Sequence, residues 1–167
     1  MKIIFVRHAA AIDREADIVD DKRYLTPKGR IFFRETARTI IKRQVKPDLI
    51  LTSPLLRAVQ TADILAESLA YNGPLAAADE LAPGFDLSGL KKILGEYPQV
   101  TELVIVGHEP DLSGIVCDLL ALADGFTFKK GSAIRLTVDP ADLRGGAVFK
   151  WLAVGKELIP SMKEALR

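Results

Sequence analysis

Two histidines stand among the 167 residues, and each follows an all-apolar run. Ile3-Ile4-Phe5-Val6 leads into Arg7-His8-Ala9, and Leu103-Val104-Ile105-Val106 leads into Gly107-His108. Short runs rich in β-branched residues read as strands buried on both faces. In an open α/β sheet, ligands bind beyond the carboxyl ends of such strands. Parallel pairing of these two strands brings both imidazoles to one edge of the sheet. A third run, Leu49-Ile50-Leu51, passes through Thr52-Ser53-Pro54 into a helix carrying Arg57. Ser53 is placed to cap that helix, with Pro54 at its first position. Arg57 then falls in the first turn, where free N–H groups and the helix dipole already favour an anion.

Arg7, His8, Ser53, Arg57 and His108 together suit a dianionic tetrahedral ligand such as phosphate. Arginine forks match phosphate oxygens in a bidentate manner. No acidic metal ligands stand nearby in sequence, so the arginines are expected to neutralise the phosphate without a metal or cofactor. A two-histidine metal site lacks a third ligand. Neighbouring cations disfavour a protonated histidine, leaving a ring nitrogen free to attack phosphorus. The resulting phosphohistidine is then hydrolysed by water, and catalysis rests on positioning and charge stabilisation.

The remaining chain supplies elements that hold these groups. Ala11 to Tyr24 is polar and aperiodic, with Asp13, Arg14, Glu15, Asp17, Asp20, Asp21, Lys22 and Arg23. It reads as a loop, either a substrate-facing lid or a solvated connection. Thr26-Pro27 starts a helix running to about Arg43. The Arg57 helix continues to about Leu69, Leu75–Ala77 is a minor strand, and Asp79 to Asp86 is loop. Helices follow over Leu87–Tyr97 and from Leu112 to about Leu122. Gly131–Val138 and Ala147–Val154 form an antiparallel pair, and Pro160–Arg167 is an amphipathic tail. Alternating strands and helices predict one domain over residues 1–167, α/β in class, with a mainly parallel sheet.

Composition narrows the function classes. Hydrophobic residues make up 49% and charged residues 27%, with a net charge of +1, as expected of a globular protein and without the basic excess of a general nucleic-acid surface. The single Cys117 excludes an internal disulfide and reads as a buried, inert thiol. No apolar run approaches the ~18 residues that span a membrane, and the chain opens directly on a strand, so the expected location is cytoplasmic.

Arg7-His8-Ala9, Arg57 within Ser53-Pro54-x-x-Arg57-Ala58-x-Gln60-Thr61-Ala62, and Gly107-His108 together resemble the histidine phosphatase, or phosphoglycerate-mutase-like, superfamily. Arg-His-Ala, Leu25-Thr26-x-x-Gly29 and Val106-Gly107-His108-x-Pro110-Asp111-Leu112-Ser113 resemble its SixA-type phosphohistidine phosphatase branch. The resemblance covers roughly residues 2 to 155. It implies a three-layer α/β/α sandwich, His8 as the nucleophile, and Arg7, Arg57 and His108 as phosphate ligands. The implied substrate is phosphohistidine of a signalling protein. Small phosphate esters or nucleotides, and a non-catalytic phosphoprotein-binding role, are the alternatives.

Four features depart from the family pattern or extend it. Many members carry a glutamate general acid after the second helix, and here Glu80 and Asp86 are the nearest candidates. Asp20-x-x-Arg23 matches the polar stretch of the branch, which assigns Arg23 to substrate recognition. Glu109 stands where asparagine is common, either opposing anion binding or complementing a helix dipole, and Tyr24 stands where proline is usual.

Overall fold

A computed structural model describes residues 1–14, 17–123 and 125–166. Glu15 and Ala16 of the polar loop, and Arg167 of the tail, lie outside the described residues. Seven strands form one sheet in the order β3-β2-β4-β1-β5-β6-β7. Strands β1 (Lys2–Arg7), β2 (Leu49–Thr52), β3 (Leu75–Ala77) and β4 (Glu102–Gly107) run parallel. Strands β5 (Ser132–Thr137), β6 (Val148–Val154) and β7 (Glu157–Ile159) continue the sheet antiparallel.

Helices cover both faces of the sheet, sorted by the alternation of strand side chains. Ile4 and Val6 of β1 pack with Phe33, Ala37 and Ile40 of α1 (Pro27–Ile41) and with Ala62 and Leu65 of α2 (Leu56–Ser68). Ile3 and Phe5 point the other way, toward Leu90 and Ile93 of α3 (Leu87–Glu96) and Ile115 and Leu119 of α4 (Asp111–Leu120). This is the three-layer α/β/α sandwich, with a short α5 (Met162–Ala165) at the end. Cys117, on α4, is only partly buried, because its side of the helix is not fully covered.

Register sets the site. Arg7 pairs with Gly107 and Thr52 with Val106, so β1, β4 and β2 end level and release His8, His108 and Ser53 at one edge. The His8 N–H bonds the Gly107 carbonyl at 3.1 Å, and the Ser53 N–H bonds Val106 at 2.9 Å.

One local reading is corrected, and one strand is added to those read from sequence. Helix α2 begins at Leu56 with Leu55 at its N-cap and no side-chain cap. Ser53 instead accepts the Leu55 N–H at 3.3 Å, closing the turn ahead of the helix. The three-residue β7 carries too short a pattern to be read from sequence; it pairs with β6 across Gly155, whose φ is +58°.

Helix α1 starts as expected. The Thr26 Oγ1 accepts the Gly29 N–H at 2.9 Å, and Pro27 holds the first position. Any Cβ on Gly29 would overlap the Ala10 carbonyl, which also accepts the Thr26 N–H at 2.9 Å. Gly29→Ala is therefore expected to destabilise the protein by about 1–3 kcal/mol, the usual cost of overpacking. It should also lower activity, because the segment it displaces directly follows His8. Thermal unfolding and kcat measured together check this.

Candidate active site

His8 and His108 face each other, ring centroids 5.1 Å apart and tilted by 58°. The His8 Nδ1 lies 2.7 Å from the Ala9 carbonyl oxygen. A carbonyl only accepts, so Nδ1 carries the hydrogen and Nε2 keeps its lone pair. Burial is the main force lowering the His8 pKa, to about 3, with His108, Arg57 and Arg7 adding to the effect. The expected neutral ring is thus present, though dehydration contributes more than the cations do. Burial likewise brings His108 to about 4, with Arg57 the next cause. Its Nε2 sits 2.7 Å from the Ser53 Oγ, and its buried Nδ1 has no hydrogen-bond partner among the described residues.

The arginines converge from separate elements. Arg7, at the end of β1, donates from NH1 to the Phe128 carbonyl at 2.5 Å. Arg57, 5% exposed in the first turn of α2, donates from NH1 to the Asp20 backbone oxygen at 2.7 Å and from NH2 to its carboxylate at 3.1 Å. The same carboxylate accepts from Arg23 at 2.9 Å and from Arg14 at 3.3 Å. The Arg23 bond, then Arg57 and Arg14, hold the Asp20 pKa down at about 2. The cavity enclosed is about 330 Å³ in volume, with Arg7, His8, Arg57 and His108 in its wall and Arg14, Arg23 and Lys130 also lining it. A neutral imidazole beside two guanidinium forks, one buried and one half-buried, is chemically competent to attack a bound phosphoryl group.

Residues 3–82 match the description Histidine phosphatase superfamily (branch 1). The phosphohistidine phosphatase SixA of Escherichia coli is 26% identical over 154 residues, 90% of this chain and 92% of that protein. Over residues 3–82, then, the chain is similar to the histidine phosphatase superfamily, and over 154 residues to SixA. An uncharacterised protein of Picosynechococcus is 39% identical over 115 residues, 67% of this chain and 68% of its own length. A solved structure of the protein histidine phosphatase SixA complexed with tungstate shares the fold, with a TM-score of 0.82 at 24% identity, over 93% of this chain and 97% of that one.

The structure brings Arg7, His8, Arg23, Arg57 and His108 to one cavity, with Ser53 behind His108. The two candidate acids are engaged elsewhere. Glu80 pairs with Lys92, and the Asp86 Oδ1 caps α3 by accepting the Gly89 N–H at 2.9 Å. Their segment is tied to the start of α3, and it contributes Pro83 to the cavity wall but neither carboxylate. The polar loop does reach the site: Ala11 bridges Leu25, and Arg14, Asp20 and Arg23 line the cavity.

Sequence reading missed the hold of Asp20 on Arg57 and the role of Thr61. The Thr61 Oγ1 accepts the Ala9 N–H at 3.1 Å and donates to the Arg57 carbonyl at 2.7 Å, joining the segment after β1 to α2. Both are contacts between distant positions, and no spacing rule announces them. Among the described residues, no group of three or more His, Cys, Asp or Glu could hold a metal ion, and no helix is long and apolar enough to cross a membrane.

Proposed function

We propose that this phosphatase removes phosphate from phosphohistidine of a protein through a covalent intermediate on His8. The observation that carries this reading is the hydrogen bond from the His8 Nδ1 to Ala9, which leaves a bare Nε2 in a cavity walled by arginines. Arg7 and Arg57 seat the phosphoryl oxygens and neutralise charge as the Nε2–P bond forms. His108, braced by Ser53, donates toward the same oxygens, and Arg23 guides substrate at the rim. Water then cleaves the phosphohistidine, releasing phosphate and restoring His8. The N–P bond leaves as an imidazole that needs little acid assistance, and the similarity to SixA favours the same substrate class. A pure binding module gains nothing from a nucleophile prepared in this way. The proposed working environment is the cytoplasm, with a phosphorylated protein as the partner and neither nucleic acid nor membrane involved.

A substrate panel tests the proposal. Turnover of a phosphohistidine protein well above that of nucleotides and sugar phosphates supports it. The reverse ranking assigns the enzyme to small esters, and phosphate binding without turnover makes it a binder.

The pH profile gives a second prediction. A lowered pKa keeps His8 neutral at neutral pH, and attack is lost only as pH falls through about 3. The acid limb of kcat/KM on an aryl phosphate, corrected for substrate ionisation, should therefore lie near pH 3–4. A limb near 6.5, the ordinary histidine value, contradicts a buried neutral nucleophile.

A further inference from the structure

We propose that the edge of the sheet opposite His8 carries a second anion site, built from Lys2, Arg43, Arg135 and Lys150 to take a short polyphosphate group. It is independent of the covalent reading above and gives the protein a further ligand.

These four cations wall a single cavity of about 200 Å³, together with Thr137 and Trp151. Strand register places three of the six. Lys2 opens β1 opposite Thr137 of β5, and two residues along, Ile4 stands opposite Arg135. Residues two apart on a strand share a face, so Lys2, Arg135 and Thr137 emerge on the side where Ile4 packs against α1. Arg43 arrives from the turn that closes α1, its N–H bonding the Ile40 carbonyl at 2.9 Å.

Lys150 joins them through an irregularity. Arg135 pairs with Trp151 but Leu136 pairs with Phe149, so Lys150 is the extra, unpaired residue of a bulge in β6. Regular alternation sends Lys150 to the face opposite Trp151. The bulge instead lets both line the cavity, and re-aiming a side chain beside a site is a recurrent use of bulges.

The protein supplies too little negative charge for this cluster. Glu102, 6% exposed, places its Oε2 3.5 Å from Arg135 and 4.0 Å from Lys2. Its Oε1 is buried without a hydrogen-bond partner, so neither Arg43 nor Lys150 reaches it. Among the described residues those two form no ion pair. Four cations against one carboxylate leave three positive charges to be met from outside.

The donor set selects the ligand. Two guanidinium forks match phosphate oxygens in a bidentate manner, and two ammonium groups add point charges. A di- or triphosphate chain presents successive anionic groups to cations that come from three strands and a turn. The cavity is smaller than the about 300–1,000 Å³ of sites that enclose a drug-sized ligand, so the base and sugar of a nucleotide would stay outside it. Lys2 and Arg7 are the two ends of β1. At about 3.3 Å per residue the site lies roughly 16 Å from the active-site cavity and does not share its phosphate.

Trp151 is the only tryptophan in the chain, so its emission reports on this cavity and not on the active site. The experiment titrates wild type, an Arg43→Gln/Lys150→Gln double variant and Arg57→Ala with inorganic triphosphate, ATP, AMP and citrate. Tryptophan emission and Tm are followed at ~0.15 M ionic strength, where exposed charges more than about 8 Å apart are screened. Arg135 is left in place, because its loss would strand the buried Glu102. Triphosphate should change the emission saturably and raise Tm in wild type and Arg57→Ala alike. The double variant should bind it about tenfold or more weakly, having lost two charge-assisted partners. Both replaced residues are exposed, so the variant should fold and keep its phosphatase kcat/KM. ATP binding as tightly as triphosphate identifies a nucleotide tail as the ligand, and triphosphate binding alone identifies free polyphosphate. An equal response to AMP or citrate, an undiminished affinity in the double variant, or no saturable response overturns the inference. Any of these leaves the covalent His8 reading untouched.

Discussion

Replacing His8 with alanine should lower kcat by about 10⁴-fold or more and abolish covalent labelling by a phosphoramidate. Removing the nucleophile of a covalent mechanism leaves only binding and charge stabilisation, and such losses run to ~10⁶ in hydrolases that act through one. The label on wild type should be acid-labile and base-stable, as expected of an N–P bond. Trapping both proteins with an alkaline denaturing quench, which preserves the N–P bond, measures this directly. The substitution leaves the Ala9 N–H bond to Thr61 and the β1–β4 pairing in place, so the variant should fold, and circular dichroism can establish that before the kinetics are read. Persistent label on the alanine variant would place the nucleophile elsewhere.

Arg57→Ala should cost about 10³-fold in kcat/KM, and the affinity for inorganic phosphate should fall with it. An arginine that stabilises a transferring phosphoryl group contributes ~10³–10⁵. This one is 5% exposed, and its fork is held by the backbone oxygen and carboxylate of Asp20. Lysine should restore little, because a point charge cannot span two oxygens as a planar fork does. The alanine variant also deprives Asp20 of one partner while Arg23 and Arg14 remain, so the loop should loosen without leaving the site. Steady-state kinetics with phosphate inhibition separates the effects: a rise in KM alone would reduce Arg57 to a binding role.

Local signals carry the legible part of this site. Four apolar residues before Arg7-His8 and four before Gly107-His108 specify buried strands whatever else the chain does. Strand ends are where side chains emerge from a sheet, and parallel register then makes the juxtaposition of the histidines nearly unavoidable. The Thr26-Pro27 start of α1 is local in the same way. Ser53 was harder to place, because a serine before a proline satisfies the capping pattern while its hydroxyl is drawn instead to His108. Glu80 and Asp86 show the same limit. Distance along the chain from the second helix does not reveal that a lysine and a helix N-terminus engage them first.

By itself, then, the sequence determined the α/β class, the strand ends that present Arg7, His8 and His108, and the helix that presents Arg57. Each depends on periodicity and punctuation within a few residues. The tertiary structure alone decided the tautomer environment of His8, the clamp of Asp20 on Arg57 from 37 positions away, and the seating of Glu109 between Ser113 and Phe128. Those features depend on dehydration and on hydrogen bonds between segments that meet only when the layers close, and dehydration above all keeps the His8 ring neutral.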